Sequence, residues 1–323
     1  MIHNWYYIFR NRFLFTVICS LTVVAHLNAS PEHTEIGTQY GEQGIAIYDK
    51  TRHGPDGNVF LDPFFVPYLC DMQEQTLIDA GCGTGPWAIF AAQHGALVWG
   101  IDIQEGMIEK AKKASIEAGL QLQTNFVVGD TGHLPYATDF FDRAISINVG
   151  CNLPELRSHI KELYRVLKNG SSAIITAPTS FGTVFTNGEA KKENVIQNIT
   201  QALAQNDNVN GLPSDIPKMD EVYRATFANR EGKWILILDE NELKADENIW
   251  RKLPNMVVPN RYHSEKEYLT TFLEEGFIVK SISRPHFANE QERIDFNVKH
   301  KQTLGEDYVQ NPPFIIFVIE KSE

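Results

Sequence analysis

Apolar residues recur along this chain in two rhythms, and from Thr76 onward the two take turns. Short β-rich runs at 76–80, 96–101, 125–128, 140–148 and 172–177 are separated by stretches in which apolar residues return at helical spacing. The helical stretches run from Pro86 through Trp87, Ile89, Phe90 and Ala92 to Gly95, over 105–118 before Gly119, and over 153–167 before the Asn169-Gly170 turn. A glycine just past a helical run is a common stop, because it adopts the left-handed conformation without a Cβ penalty. Strict strand–helix alternation predicts an α/β fold: a doubly wound, Rossmann-like sheet of seven mostly parallel strands. Between 178 and 261 the alternation lapses, with a polar-faced helix predicted over 189–205, a Gly/Pro/Asn/Asp-rich loop over 206–217 and a strand-like run over 234–238. This stretch reads as an inserted lid over the cleft. Ser264 and Glu267 then have the spacing of a capping box ahead of Tyr268, Leu269 and Phe272, with Gly276 as the stop. Runs at 278–282 and 313–320 complete the sheet, the last strand antiparallel and expected at an edge.

Composition adds limits. The formal charge of -12 over 323 residues disfavours a grip on phosphate backbones, which needs clustered Lys and Arg, so nucleic acid is not an expected partner. Arg10 and Arg12 precede the apolar run 13–27, which ends near the small residues Ala25 and Ala29, the order of a secretory signal peptide. That run is shorter than the ~20 residues a membrane-spanning helix needs. Export or membrane association through 13–27 is the expectation, with a cytoplasmic protein as the alternative. Cys70, Cys82 and Cys151 remain beyond the leader, at spacings of no disulfide or metal framework, and no metal site is expected. Asn198-Ile199-Thr200 has the pattern of a glycosylation sequon. The expected organisation is a leader at 1–29, N-terminal cap helices at 30–75, a core at 76–178, the lid at 179–263 and completion of the sheet at 264–323.

Chemistry concentrates where the first strand ends. Gly81, Gly83 and Gly85 lack the Cβ atoms that would keep a ligand from the backbone, and the turn they form opens a helix whose free amides attract negative groups. Dinucleotide enzymes use G-x-G-x-x-G, whereas here the spacing is G-x-G-x-G and Pro86 follows. Asp102, at the end of the second strand, lies where a carboxylate meets ribose hydroxyls in either arrangement. It indicates a ribose without naming the rest of the ligand.

The run Leu77-Ile78-Asp79-Ala80-Gly81-Cys82-Gly83-Thr84-Gly85 resembles the first motif of class I S-adenosylmethionine-dependent methyltransferases. The similarity continues in order through Gly100-Ile101-Asp102, Gly129-Asp130 with Leu134-Pro135, Phe140-Phe141-Asp142, and Leu163-Tyr164-Arg165-Val166-Leu167-Lys168. It covers roughly 76–178. The resemblance implies S-adenosylmethionine as cofactor and a small molecule as methyl acceptor. By the same resemblance Asp79, Gly81, Cys82, Gly83 and Gly85 would hold the methionine part, Asp102 the ribose and Ile103 the adenine. Asp130 and Thr131 would lie at the adenine amino group and Asn148 would face the transferred methyl. Asp142 reads as a strand-start residue, and Cys82 as a packing residue rather than a nucleophile.

Methyl transfer to an O, N or C atom is a direct displacement, so alignment and exclusion of water are the main tasks and a general base is optional. Candidate imidazoles near predicted loops are His53, His133, His263 and His286, of which His263 is preferred. Upstream, Asp62-Pro63 is expected to cap and start a helix, and Tyr48 could line the transfer region. Asn311-Pro312-Pro313-Phe314 resembles an amino-methyltransferase motif, yet it precedes the final strand instead of following the fourth and is read as a turn. The competing functions are a non-catalytic nucleoside-binding protein and a protein methyltransferase.

Overall fold

The computed structural model describes residues 45, 55, 60–184, 225–237, 240–245, 247–253, 256–300, 309 and 311–323. The leader, the sequon, the predicted helix over 189–205, the loop over 206–217, His53 and Tyr48 lie outside them.

Eleven described strands form two sheets. The larger has the order β3-β2-β1-β4-β5-β11-β10, built from β1 (Thr76–Ala80), β2 (Leu97–Asp102), β3 (Thr124–Val128), β4 (Phe141–Ile147), β5 (Leu167–Pro178), β10 (Phe277–Ser283) and β11 (Phe314–Lys321). The first five strands pair in parallel, and β11 pairs antiparallel with both β5 and β10. Two apolar layers cover the sheet, as expected for parallel strands buried on both faces. On one face α1 (Asp62–Leu69), α2 (Pro86–Gln93) and α3 (Glu105–Glu117) bury Phe65, Trp87 and Ile108 with Leu77, Phe126 and Ile145. On the other, α4 (Arg157–Val166) and α6 (Glu265–Glu274) bury Leu163, Tyr268 and Phe272 against Ile78, Trp99 and Phe317.

Three details differ from the sequence reading. The last strand is interior, inserted between β5 and β10, so β10 is the edge. The near-continuous apolar run Phe314 to Ile319 is buried along most of its length, whereas β10 exposes Ile278, Lys280 and Ile282. Second, Asn169 and Gly170 fall within β5, where Gly170 has φ +73° and the pairing register with β4 shifts. Third, Leu61 occupies the N-cap of α1 without a side-chain bond, which makes Asp62 the first helical residue rather than the cap.

The four antiparallel strands β6 (Ala225–Arg230), β7 (Lys233–Ile237), β8 (Asn248–Leu253) and β9 (Met256–Arg261) form a separate sheet in the order β7-β6-β8-β9. Only the β7 run was legible as a strand in the sequence. This sheet rests on the carboxyl ends of the parallel strands. Asn260 Nδ2 donates to the Cys151 carbonyl (3.0 Å) and Asn152 Oδ1 (2.8 Å), and Thr226 Oγ1 donates to the Thr183 carbonyl (2.7 Å) in α5 (Ser180–Val184).

Candidate functional site

Strand order reverses between β1 and β4, and at such a switch point the loops leaving two neighbouring parallel strands diverge to leave a crevice. Here the glycine turn after β1 meets the segment after β4. Gly81, Gly83 and Gly85 all have positive φ, at +83°, +53° and +78°. A Cβ on Gly81 would lie 2.3 Å from Val149 Cγ2, so the two loops approach more closely than any other residue permits. Gly85, left-handed, precedes Pro86 at the start of α2, where the missing amide proton costs nothing.

Hydrogen bonds hold this turn to the next strand. The Gly81 and Cys82 amides donate to the Ile101 carbonyl (2.7 and 3.0 Å), and the Gly83 amide donates to Asp102 Oδ2 (2.9 Å). Asp102 Oδ1 accepts from the Gln104 amide (2.9 Å). Each carboxylate oxygen has two acceptor sites, so Asp102 can brace the turn and still accept ligand hydroxyls. Its low-polarity surroundings raise its pKa, and the two backbone amides partly offset this. Asp79 is 2% exposed; burial, then the negative charge of Asp102, pushes its pKa up to about 8 against a hydrogen bond from the Ala88 amide. Cys82 is buried beside both acids, and that burial pushes its thiol well above the usual range. Its sulfur would lie 3.0 Å from a Cβ on Gly100, which places Cys82 in the packing and not in a nucleophilic role.

Beyond β3, Asp130 is buried and organises its own loop, accepting from the Gly132 amide (2.8 Å) and facing His133 Nδ1 (3.3 Å). Next to it the buried Thr131 Oγ1 has no hydrogen-bond partner among the described residues. Ile103, directly after Asp102, is half-buried. Asn148 directly follows β4 with φ +54°, a left-handed conformation that Asn tolerates better than most residues. Its Oδ1 accepts from Thr176 Oγ1 (3.0 Å), and its carbonyl accepts from Asn152 Nδ2 (3.1 Å) and the Cys151 thiol (3.3 Å). Strand ends thus bring the Asp79, Asp102, Asp130 and Asn148 regions to one edge of the sheet.

His263 lies apart, under the second sheet. It is 4% exposed, with Nε2 3.0 Å from the Leu153 carbonyl and Nδ1 2.8 Å from Glu267 Oε1. Both ring nitrogens are engaged within the protein, which leaves no lone pair for a proton from an acceptor. Glu267 therefore turns to His263, while Ser264 keeps its half of the capping box by accepting from the Glu267 amide (3.2 Å). His133 and His286 are on exposed surfaces. Asp142 ties β1 to β4 and β5: it accepts from the Thr76 amide (2.9 Å), Thr76 Oγ1 (2.8 Å) and Lys168 Nζ (2.6 Å). Asn311 to Pro313 docks beside β5, where the Pro312 and Pro313 carbonyls accept from Thr179 (2.6 and 3.1 Å).

A narrow crevice at the carboxyl ends of β4 and β5 was not anticipated. Cys151, Pro178, Thr183, Ile249, Asn260, Arg261, Tyr262, His263 and Tyr268 line it. Its residues come from four separate stretches of chain, and the one signal was the polar cluster Asn260-Arg261-Tyr262-His263 ahead of a helix cap.

Residues 78–175 match the methyltransferase domain family. That segment, under a third of the chain, is similar to methyltransferase domains. Among curated relatives, 24-methylenesterol C-methyltransferase 3 of Arabidopsis thaliana is 33% identical over 141 residues, 43% of this chain and 38% of that one. Methyltransferase phqN of Penicillium fellutanum is 36% identical over 109 residues, 33% of each chain. The chain thus spans about a third of the length of these curated relatives. An S-adenosylmethionine-dependent methyltransferase from Mesorhizobium loti shares the fold at TM-score 0.55 and 17% identity, covering 83% of this chain and all of that one. The matched segment contains every residue that the sequence offered for a cofactor site, from Asp79 to Asn148, while His263 and the crevice lining from Pro178 onward lie outside it.

Proposed function

We propose that this chain is an S-adenosylmethionine-dependent methyltransferase acting on a small molecule, at an O, N or C atom, by direct displacement. One observation carries the reading: at the switch point a turn of three left-handed glycines is hydrogen-bonded through Gly83 to Asp102 at the end of β2. The chain fits the cofactor in one further respect: Thr131 presents a buried hydroxyl without a hydrogen-bond partner among the described residues.

In this reading Asp79 and the turn from Gly81 to Gly85 hold the methionine part, with Cys82 packed beneath. Asp102 accepts from the ribose hydroxyls and Ile103 flanks the adenine, with Asp130 and Thr131 at its amino group. Bound S-adenosylmethionine supplies an electrophilic methyl group on a sulfonium, and the acceptor atom takes it in a single displacement. The protein's work is then orientation and dryness. Asn148, pinned to Thr176 and Asn152, gives the methyl-transfer side of the cleft a rigid floor. The sheet β6–β9 acts as the lid, with Asn260 tying β9 to the segment after β4. No imidazole is needed for the displacement itself. Residues 1–29 direct export or membrane association, tested by N-terminal sequencing of the native protein: a start near residue 30 is expected.

The deciding experiment is calorimetric titration of the full chain with S-adenosylmethionine, S-adenosylhomocysteine and NAD. Binding of the first two, weakened at least tenfold by Asp102→Ala, is expected. NAD binding alone would overturn the proposal.

A further inference from the structure

The crevice beneath the second sheet contains two polar groups that the cofactor site leaves unused. Tyr268 is 1% exposed, and its ring stacks on Phe317 with centroids 5.4 Å apart. The ring is therefore fixed, and its hydroxyl is delivered to the segment directly after β4. A Cβ on Gly150 would stand 2.0 Å from that oxygen, so only glycine leaves the space the hydroxyl occupies. The Tyr268 hydroxyl is buried and has no hydrogen-bond partner among the described residues. Arg261, at the end of β9, lines the same crevice, with Nε buried and likewise unpartnered among them.

Buried donors without acceptors are uncommon in native structures, because the lost hydration is not replaced. Two of them in one crevice, at the carboxyl ends of β4 and β5, have the composition of a recognition site. Among the described residues no carboxylate pairs with Arg261, and Glu267 Oε1 faces His263 Nδ1. The lining also includes Pro178, Ile249 and Tyr262, whose apolar surfaces suit the carbon skeleton beside a polar head.

We infer that Arg261 and Tyr268 hold an anionic oxygen group of the methyl acceptor, a carboxylate or a phosphate, and so select acidic small molecules. This rests on the methyltransferase reading and names the substrate class of that same site. The guanidinium supplies charge and paired donors, and the phenol adds a third donor. Burial, followed by the neighbouring Cys151 and Glu267, holds the Tyr268 hydroxyl well above the usual tyrosine range, so it remains a donor across physiological pH. The crevice measures about 10 Å³, room for a single oxygen atom of the head group.

The test is calorimetry on the full chain saturated with S-adenosylhomocysteine, with benzoate, phenyl phosphate and the neutral benzamide as probes. At least one anion is expected to bind tenfold or more tightly than benzamide, and which anion wins identifies the head group. Tyr268→Phe and Arg261→Gln should each weaken that anion about tenfold while S-adenosylhomocysteine affinity stays within twofold, which also reports intact folding. Equal binding of anions and benzamide, no binding of either anion, or variants that bind the anion like the parent would overturn the inference. Failure of S-adenosylhomocysteine to bind the parent chain would instead remove the methyltransferase reading beneath it.

Discussion

Asp79 sets a pH dependence that can be read without any acceptor. The folded chain keeps its proton up to about pH 8, whereas an unfolded aspartate releases it near pH ~4. The folded state therefore binds more protons across that window, and this residue's contribution to stability falls as pH rises through it. Denaturant titrations of the free protein between pH 5 and 8 are expected to show this decline, and Asp79→Asn should flatten it. A parent curve no steeper than the variant's would contradict the assignment. Gly81 gives a steric counterpart. Gly81→Ala meets both a φ of +83° and Val149 at 2.3 Å, so a loss of about 1–3 kcal/mol in unfolding free energy is expected, together with loss of S-adenosylhomocysteine binding. Parent-like behaviour in both assays would mean that the turn relaxes.

Among the elements, helix caps and strand ties carry the testable weight. Ser264 accepts from the Glu267 amide at the start of α6, so Ser264→Ala is expected to cost about 1 kcal/mol of stability in chemical denaturation. The tie at Asp142 joins three strands. Burial raises its pKa, but bonds from Lys168 and Thr76 together lower it by more, and the net effect is below the usual carboxylate range. Element identity was largely legible from the sequence because strand runs and helical spacing differ in period and the glycine stops at Gly95 and Gly119 mark ends. Three of the four strands in the second sheet were missed. The stretch Asn248 to Arg261 offers no clean alternation against a single buried face, and its strands are defined by antiparallel partners.

Across the whole molecule, cofactor binding and global stability are linked, since a ligand that binds only the folded state stabilises it by RT ln(1 + [L]/Kd). S-adenosylhomocysteine at a hundredfold excess over Kd is expected to add about 2.7 kcal/mol, seen as a raised melting temperature, and NAD at the same concentration should add nothing. An equal shift from NAD would point to a general nucleotide site. The position of β11 also belongs to this scale. Both β10 and β11 were visible as strands, but which one paired with β5 depended on how much of each could be buried. The run from Phe314 to Ile319 fits the doubly covered interior, whereas Lys280 and its ion pair with Glu320 suit an edge.

The sequence by itself determined the α/β class and the strand and helix order through β5, and it offered the residues from Asp79 to Asn148 on which the proposed cofactor site rests. These features depend on local periodicity and on motifs placed at strand ends, where neighbours in sequence and in space largely coincide. Tertiary structure alone decided that β11 lies inside the sheet, that both nitrogens of His263 are engaged, and that Arg261 and Tyr268 line one crevice with Cys151 and Pro178. Those outcomes depend on which side chains find partners across long separations in the chain, and neither period nor motif encodes that pairing.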